Sequence, residues 1–363
     1  MRILVDCRYT RLEHHDGISR YGARITEALA PLAAAHGHEL TMLISDKAQL
    51  AMLPDLPWAL ASGVTSAREP WVARQINALG VDVVFTPMQT MGGSGRRYGL
   101  VKTLHDLIYY RNRTPPRDLN PAIRLLWRLY HLAWWPQRML LNQADEVVTI
   151  SETTSSLMTE HHLTKRRISI VPNAADPAPA SAHVRTQPAG RDLVYMGSFM
   201  PYKNVETLVR AVALLPGYRL HLLSKGAPAH YRGIENVIVH DGVSDEEYAE
   251  LLDGAFALVH ASLEEGFGIP LLEAMSVGTP VVLSDTPIFR EVAEDAASYF
   301  PARDAAAAAA AIRGLEDPDL WAARSEAGRV VASKYSWKAS AAALLDVLER
   351  VGAHSQRSQP RGG

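Results

Sequence analysis

Ala255-Phe256-Ala257-Leu258-Val259-His260, followed after three residues by Glu264-Glu265-Gly266-Phe267-Gly268-Ile269-Pro270-Leu271-Leu272-Glu273-Ala274-Met275, is the stretch on which the fold turns. The apolar run has the length and composition of a buried parallel strand. Pro270 suits the first turn of a helix, where its missing N–H is no loss and its φ is already helical. The unit reads strand, glycine loop, helix, with unpaired backbone N–H groups at the helix start, a terminus that attracts phosphate. Glu265 stands before those donors and Glu273 after them, eight residues apart. Carboxylates accept from hydroxyls, so the stretch has the chemistry to hold a phosphate with a sugar on either side, as in a nucleotide-sugar. The same residues also suit an ordinary connection with a glutamate favouring the helix dipole. Taken alone, they leave both readings standing.

Outward from this stretch, apolar strand-like runs alternate with longer helical patterns. Strands are expected at residues 3–5, 39–44, 81–86, 100–104, 146–150 and 168–171, then at 193–196, 220–223, 237–240, 255–260 and 281–283. Helices are expected at 19–35, 121–141, 205–214, 305–312 and 337–351. Such alternation argues for an α/β chain with doubly wound parallel sheets, and two successive series argue for two Rossmann-like domains. The expected division is 1–175 for the first, a proline- and alanine-rich linker at 176–190, and 191–335 for the second. A closing helix at 336–352 and a disordered polar tail at 353–363 complete it.

Composition narrows the class. The 363 residues are 47% hydrophobic and 21% charged, which is a globular balance. A formal net charge of −2 gives no electrostatic case for nucleic acid. The only cysteine, Cys7, has no internal disulfide partner, which fits a reducing compartment. Met1-Arg2-Ile3-Leu4-Val5-Asp6 starts a strand at once without a signal-peptide pattern, and no apolar run reaches about 18 residues. A cytoplasmic chain is expected.

Other segments carry chemistry at strand ends. Tyr195-Met196-Gly197-Ser198-Phe199-Met200-Pro201-Tyr202-Lys203-Asn204 puts Lys203 outside a strand's carboxyl end, where α/β folds bind ligands. A cation there neutralises a diphosphate, although a solvated surface lysine is the commoner case. Asp16-Gly17-Ile18-Ser19-Arg20-Tyr21 opens a helix, and Gly17 permits close backbone approach. Leu104-His105-Asp106-Leu107 follows a strand, and Ser151 is a natural N-cap. Val171-Pro172-Asn173-Ala174-Ala175-Asp176 and His240-Asp241-Gly242-Val243-Ser244-Asp245 form two further loops. There is no G-x-G-x-x-G register at Gly92-Gly93-Ser94-Gly95, no P-loop, no zinc spacing, no G-x-S-x-G and no Asp-x-Asp. Between Ile123 and Arg138, three tryptophans alternate with Arg124, Arg128 and Arg138. Internal packing of that aromatic face is the first reading, and contact with a membrane surface or a lipid-linked acceptor the second.

In order along the chain, these segments resemble the retaining glycosyltransferases of the GT-B fold, family 4. The string from Glu265 to Glu273 is similar to that family's E-x7-E motif with its flanking residues. The Gly197 to Asn204 segment resembles its G-x-x-x-P-x-K-N string, though Ser198 stands where many members have arginine, and Ala174 replaces a glycine of the P-N-G-x-D string. The resemblance implies two Rossmann-like domains facing a cleft, the second holding the donor and the last helix packing back on the first. It implies a donor site of Gly17, Ser198, Lys203, Gly242, Val243, Glu265, Gly266, Phe267, Gly268, Ile269, Leu272 and Glu273. Glu273 would accept from the ribose, Glu265 from the sugar, and amides near Phe267 and Gly268 would hold the diphosphate. Lys203 would stabilise the leaving charge, with Arg8, Arg20 or Lys225 as a candidate second cation. His105, Lys203 and Glu265 are the catalytic candidates; Arg8, Tyr9 and Asp106 lie on the acceptor side. No cofactor and no metal are implied. The expected reaction is hexosyl transfer with retention, with mannosyl from GDP-mannose favoured over UDP- or dTDP-sugars, to a glycan or lipid-linked acceptor at the inner face of a membrane. An epimerase or phosphorylase on the same fold, and a catalytically silent sugar-binding subunit, are the alternatives.

Overall fold

The computed structural model describes residues 1–115, 120–176, 187–188 and 190–358. Most of the proposed linker therefore lies outside the described residues. The chain forms two compact units, one of Met1–Asn173 with Trp337–Gly363 and one of Ala174–Ser336.

The first unit runs β1 (Arg2–Asp6), α1 (Gly17–Ala35), β2 (Glu39–Ile44), β3 (Trp58–Leu60), α2 (Val72–Asn77), β4 (Val83–Thr86) and β5 (Gly99–Leu104). It continues with α3 (Ile108–Arg111), α4 (Pro121–Tyr130), α5 (Trp135–Leu141), β6 (Glu146–Thr149), α6 (Glu152–Glu160) and β7 (Arg167–Ile170). Its seven strands are parallel in the order β3-β2-β1-β4-β5-β6-β7. β4, β5 and β6 are buried along their whole length, as strands covered on both faces must be. The short edge strand β3 pairs Met42 with Trp58 and Ile44 with Leu60. Its three residues, Trp58-Ala59-Leu60, are apolar but too short a run to mark a strand, and the two outer side chains stay exposed.

The second unit runs β8 (Asp192–Tyr195), α7 (Val205–Val212), β9 (Arg219–Leu222), β10 (Val237–Val239), α8 (Asp245–Gly254), β11 (Ala257–His260), α9 (Ile269–Ser276) and β12 (Val281–Ser284). α10 (Pro287–Ala293), β13 (Ser298–Phe300), α11 (Ala305–Gly314) and α12 (Pro318–Ala332) follow. Its parallel sheet has the order β10-β9-β8-β11-β12-β13, the doubly wound Rossmann pattern. Tyr195, Leu220, Val259 and Trp321 anchor its core, and the Trp321 indole N–H donates to Phe256 O at 2.9 Å.

The closing helix α13 (Trp337–Ser358) belongs to the first unit, where it packs along α1, β4 and β5. Ala341, Leu344, Leu345, Leu348 and Val351 recur at helical spacing and are buried. Each buried Leu or Val contributes about 1.5–3 kcal/mol, so this stripe accounts for the docking. Ser340 Oγ donates to Pro172 O and Arg350 Nη2 to Glu146 Oε1, both at 2.7 Å.

Two expectations are corrected. The single helix read over residues 121–141 is two, α4 and α5, because Pro136 has no N–H to continue a ladder and its ring excludes the carbonyl four residues back. The polar tail expected after Gly352 continues α13 as far as Ser358. Among the described residues no helix is long and apolar enough to cross a membrane.

Candidate active site

In the second unit the strand order reverses between β8 and β11, so the loops leaving their carboxyl ends border one switch point, the place where α/β sheets bind ligands. The two loops are stitched together. Leu263 N–H donates to Tyr202 O at 2.8 Å, and the Asn204 amide donates to Ala261 O at 2.9 Å and Ala302 O at 2.5 Å. Asn204 itself takes a left-handed backbone, φ 51°, a conformation asparagine tolerates better than most residues. These contacts fix Lys203, whose Nζ lies 2.6 and 2.8 Å from the two carboxylate oxygens of Glu265.

Both side chains are nearly buried, with 14% of Lys203 and 9% of Glu265 exposed. Ser262 Oγ donates to Glu265 Oε1 at 2.7 Å, and His260 Nδ1 stands 3.9 Å away. Burial pushes the Glu265 carboxyl up, but the Lys203 ammonium, helped by the Ser262 hydroxyl, outweighs it and holds the group below its usual range. Burial pushes His260 down to about 4, so it is neutral, and its Nε2–H donates to Met196 O at 2.9 Å. Three of the carboxylate's four lone-pair sites are occupied and two of the ammonium's three protons. The pair therefore keeps one acceptor and one donor for a ligand: a sugar hydroxyl and a phosphate oxygen match them.

Gly268 opens α9 at φ 101°, and a Cβ there would stand 3.2 Å from Leu271 and 3.3 Å from Phe289, so backbone and packing both demand glycine. Glu273 follows on the same helix, partly buried. Phe267 is buried edge-on against Tyr335 at 5.6 Å, and Leu272 is fully buried, so their side chains pack inward and only their backbones remain for a ligand. Gly266 is buried and Ile269 partly buried. Gly197 gives its N–H to Ser224 Oγ at 3.1 Å, and a Cβ on it would meet the Tyr195 hydroxyl at 2.9 Å. Ser198 is exposed, and its carbonyl accepts from the Tyr195 hydroxyl at 2.7 Å. Beside partly buried Val243, Gly242 lies against exposed Lys225, whose chain a Cβ would touch at 2.8 Å. Lys225 is thus placed within this loop set.

In the first unit His105 stands at the end of β5. Its Nε2 lies 2.7 Å from Pro87 O, a carbonyl that only accepts, so Nε2 carries the proton and Nδ1 is a lone pair. Burial pushes His105 down to about 4, so the ring is neutral and Nδ1 is left as an acceptor. Beside it a cavity of about 510 Å³ is lined by Asp106, Thr90, Tyr109, Leu126 and Trp127. Asp106 Oδ1 accepts from Ile108 N at 3.0 Å, and the Tyr9 hydroxyl meets Thr90 Oγ1 at 2.8 Å. Arg8 points elsewhere. It is buried against Asp6 at 2.8 Å and Glu69 at 2.7 Å, and burial, which lowers it, is overcome by those two carboxylates. A diphosphate or acceptor would have to displace both partners. At the start of α1, Asp16 caps the helix by accepting from Ser19 N at 2.9 Å, so a carboxylate already stands beside Gly17.

Two of the three tryptophans, Trp127 of α4 and Trp134 just before α5, pack on neighbouring rings, whereas Trp135 is exposed. Trp134 stacks on Tyr110 at 3.8 Å and on His161 at 4.2 Å, and Trp127 lies 4.0 Å from His131. The aliphatic side chains Leu125, Leu126 and Leu129 are exposed. Sequence reading passed over His260 and Ser262; the available signal was a polar residue closing an otherwise apolar strand.

Two doubly wound parallel sheets, the second with a carboxylate–lysine pair and a glycine-opened helix at its switch point, define a two-domain α/β protein of the GT-B class. Residues 16–179 match the family described as Glycosyltransferase Family 4, and residues 183–331 match Glycosyl transferases group 1. The chain belongs to the group 1 glycosyltransferases. It is 27% identical over 195 residues to the O-antigen chain mannosyltransferase RfbU of Salmonella typhimurium, covering 50% of this chain and 54% of that protein. It is 30% identical over 278 residues to the MMP alpha-(1->4)-mannosyltransferase of Mycolicibacterium hassiacum, covering 70% and 66%. The chain thus spans from about half to two-thirds of these two relatives' lengths. Sucrose-phosphate synthase from Thermosynechococcus elongatus superposes with a TM-score of 0.72 at 20% identity, covering 97% of this chain and 99% of that one, a likeness of fold.

Proposed function

We propose that this chain is a retaining glycosyltransferase that moves a hexosyl group, with mannosyl favoured, from a nucleoside diphosphate sugar to a hydroxyl of a glycan or lipid-linked acceptor. The observation that carries the reading is the Lys203–Glu265 pair at the switch point, with one donor and one acceptor left for a ligand. Glu265 accepts from the transferred sugar and Glu273 from the ribose. Lys203 and the amides opening α9 hold the diphosphate, and Lys225 beside Gly242 serves as the second cation in place of an arginine at Ser198. A fixed ammonium stabilises the leaving charge where other enzymes use a divalent ion, so no metal enters the chemistry. Neutral His105, with its lone pair on Nδ1, accepts from an acceptor or sugar hydroxyl, and Tyr9 and Asp106 flank the acceptor side.

The preference for a mannosyl group rests on relatives named as mannosyltransferases. A cytoplasmic enzyme at the inner face of a membrane is the setting supported by α4, whose exposed Ile123, Leu125, Leu126 and Leu129 alternate with Arg124 and Arg128. The deciding experiment incubates the purified chain with GDP-, UDP-, ADP- and dTDP-sugars in excess EDTA and follows nucleotide release, with NMR of the product anomer. We expect one donor to be consumed in EDTA, with retained configuration, and Glu265→Gln to lower turnover by about 10²–10³ with free-nucleotide affinity nearly unchanged. Binding of none of the donors, or turnover that needs added magnesium or manganese, would reject the reading.

A further inference from the structure

We propose that His36, His38 and Glu349 form a structural site for a divalent transition-metal ion of the zinc class, clasping α13 to the end of α1. His36 caps α1 and His38 leads into β2, with the turn between them pinned by His36 N–H to Leu32 O at 3.1 Å and His38 N–H to Ala33 O at 2.8 Å. Glu349 comes from α13, more than three hundred residues away in sequence. His36 Nδ1 and His38 Nε2 both lie 2.9 Å from the same carboxylate oxygen, Glu349 Oε1. The three ligand atoms lie within 4.8 Å of one another. In a tetrahedral zinc site with bonds near 2.0–2.1 Å, neighbouring ligand atoms are about 3.3 Å apart. The cluster is close to that arrangement with nothing bound.

The donor set selects the metal. Two imidazoles and one carboxylate suit zinc and its transition-metal neighbours, whereas magnesium and calcium want oxygen. Without an ion, both ring nitrogens facing Glu349 must carry protons, because a carboxylate only accepts; an ion replaces those two protons. The His36 side chain is 52% exposed and that of Glu349 37%, so an ion can enter and water can fill the fourth position. One feature limits the affinity. His38 Nδ1 is buried without a hydrogen-bond partner, yet must hold the ring proton once Nε2 binds metal. A missing outer partner weakens a site by about 10–100-fold, so binding in the micromolar range is expected. α1 is 19 residues long, so the cluster sits roughly 27 Å along the helix from Gly17 and outside the transfer chemistry.

The full chain is stripped with EDTA, exchanged into buffer, and titrated with zinc chloride or magnesium chloride while its thermal unfolding and binding heat are followed. Zinc at about a hundredfold excess over its dissociation constant should raise the unfolding midpoint by roughly 5 °C, and magnesium should not. His36→Ala removes a half-exposed ligand and Glu349→Gln keeps the side-chain shape; both should unfold near the wild-type midpoint without metal and lose the zinc shift. Cobalt(II) in place of zinc should give the visible absorption of a four-coordinate ion in wild type alone. An equal zinc shift in wild type and both variants, or no shift and no binding heat in wild type, overturns the proposal.

Discussion

Replacing Lys203 with Met leaves the Glu265 carboxylate buried without its cation, and the result should be read in stability as well as in turnover. Removing one partner of a buried pair is destabilising by about 3–5 kcal/mol. Here Ser262 still donates to Glu265, so the lower end, about 3 kcal/mol at pH 8, is expected. In the wild type Glu265 is held below its usual range, so the pair's contribution is complete above the unfolded carboxyl value and fades as pH falls through the folded one. In Lys203→Met burial dominates and the folded value rises above the unfolded one. The variant is then relieved at low pH and loses stability as pH rises toward that raised value. The gap between the two proteins should therefore be wide at pH 8 and narrow by about half at pH 5. Urea unfolding at both values measures it. A second variant, Lys203→Met with Glu265→Gln, removes the stranded charge and should recover most of the loss, because a neutral pair replacing a buried ion pair is often tolerated. Donor binding should stay impaired in both. If Lys203→Met is as stable as wild type at pH 8, or its deficit is the same at pH 5 and unrelieved by Glu265→Gln, the pair is not the buried element described above.

Glu273→Ala should weaken nucleotide and nucleotide-sugar alike by roughly 1–3 kcal/mol, the loss of a charged hydrogen-bond partner, and calorimetric titration with free nucleotide reads it directly; unchanged nucleotide affinity would move the ribose contact elsewhere. Exchanging Leu125 and Leu129 on α4 for glutamate should abolish co-sedimentation with vesicles containing anionic lipid while leaving the fold intact, since both side chains are already exposed. Equal co-sedimentation of wild type and variant would count against the membrane reading.

Much of the fold was legible because buried parallel strands write themselves as continuous apolar runs. The 255–260 run and the Gly268–Pro270 turn announced the strand, loop and helix that the structure forms, while the spacing of Glu265 and Glu273 alone left ligand binding and a plain connection equally open. Two of the four edge strands were not legible: β3 and β13 are three residues each and owe their pairing to neighbours, whereas the edge strands β7 and β10 were expected at 168–171 and 237–240. The division of residues 121–141 into α4 and α5 was foreseeable from Pro136, but the apolar periodicity runs through it and hides the break. Arg8 follows a first strand in a way that suits a ligand contact; only the tertiary placement of Glu69, sixty-one residues on, shows that the guanidinium is engaged inside the unit. The His36, His38 and Glu349 cluster is another case, since no local spacing connects a helix cap to the other end of the chain.

The order of events at the switch point follows from the same contacts. Lys203 and Glu265 are paired before any ligand arrives, held by Asn204 and Ser262 from two loops that also hydrogen-bond to each other. A site assembled in advance avoids ordering a long lysine side chain on binding, an entropy loss of about 1.5–2 kcal/mol for such a residue. In the reaction proposed above, the ammonium's remaining proton would serve the charge that grows on the leaving diphosphate, where a fixed charge is most effective. Neutral His260 completes the arrangement. Charged, it would compete with Lys203 for the same carboxylate; driven down to about 4 by burial, it contributes a rigid ring and a hydrogen bond to Met196 instead. The residue that sequence reading passed over is therefore the one that keeps Glu265 committed to a single cation.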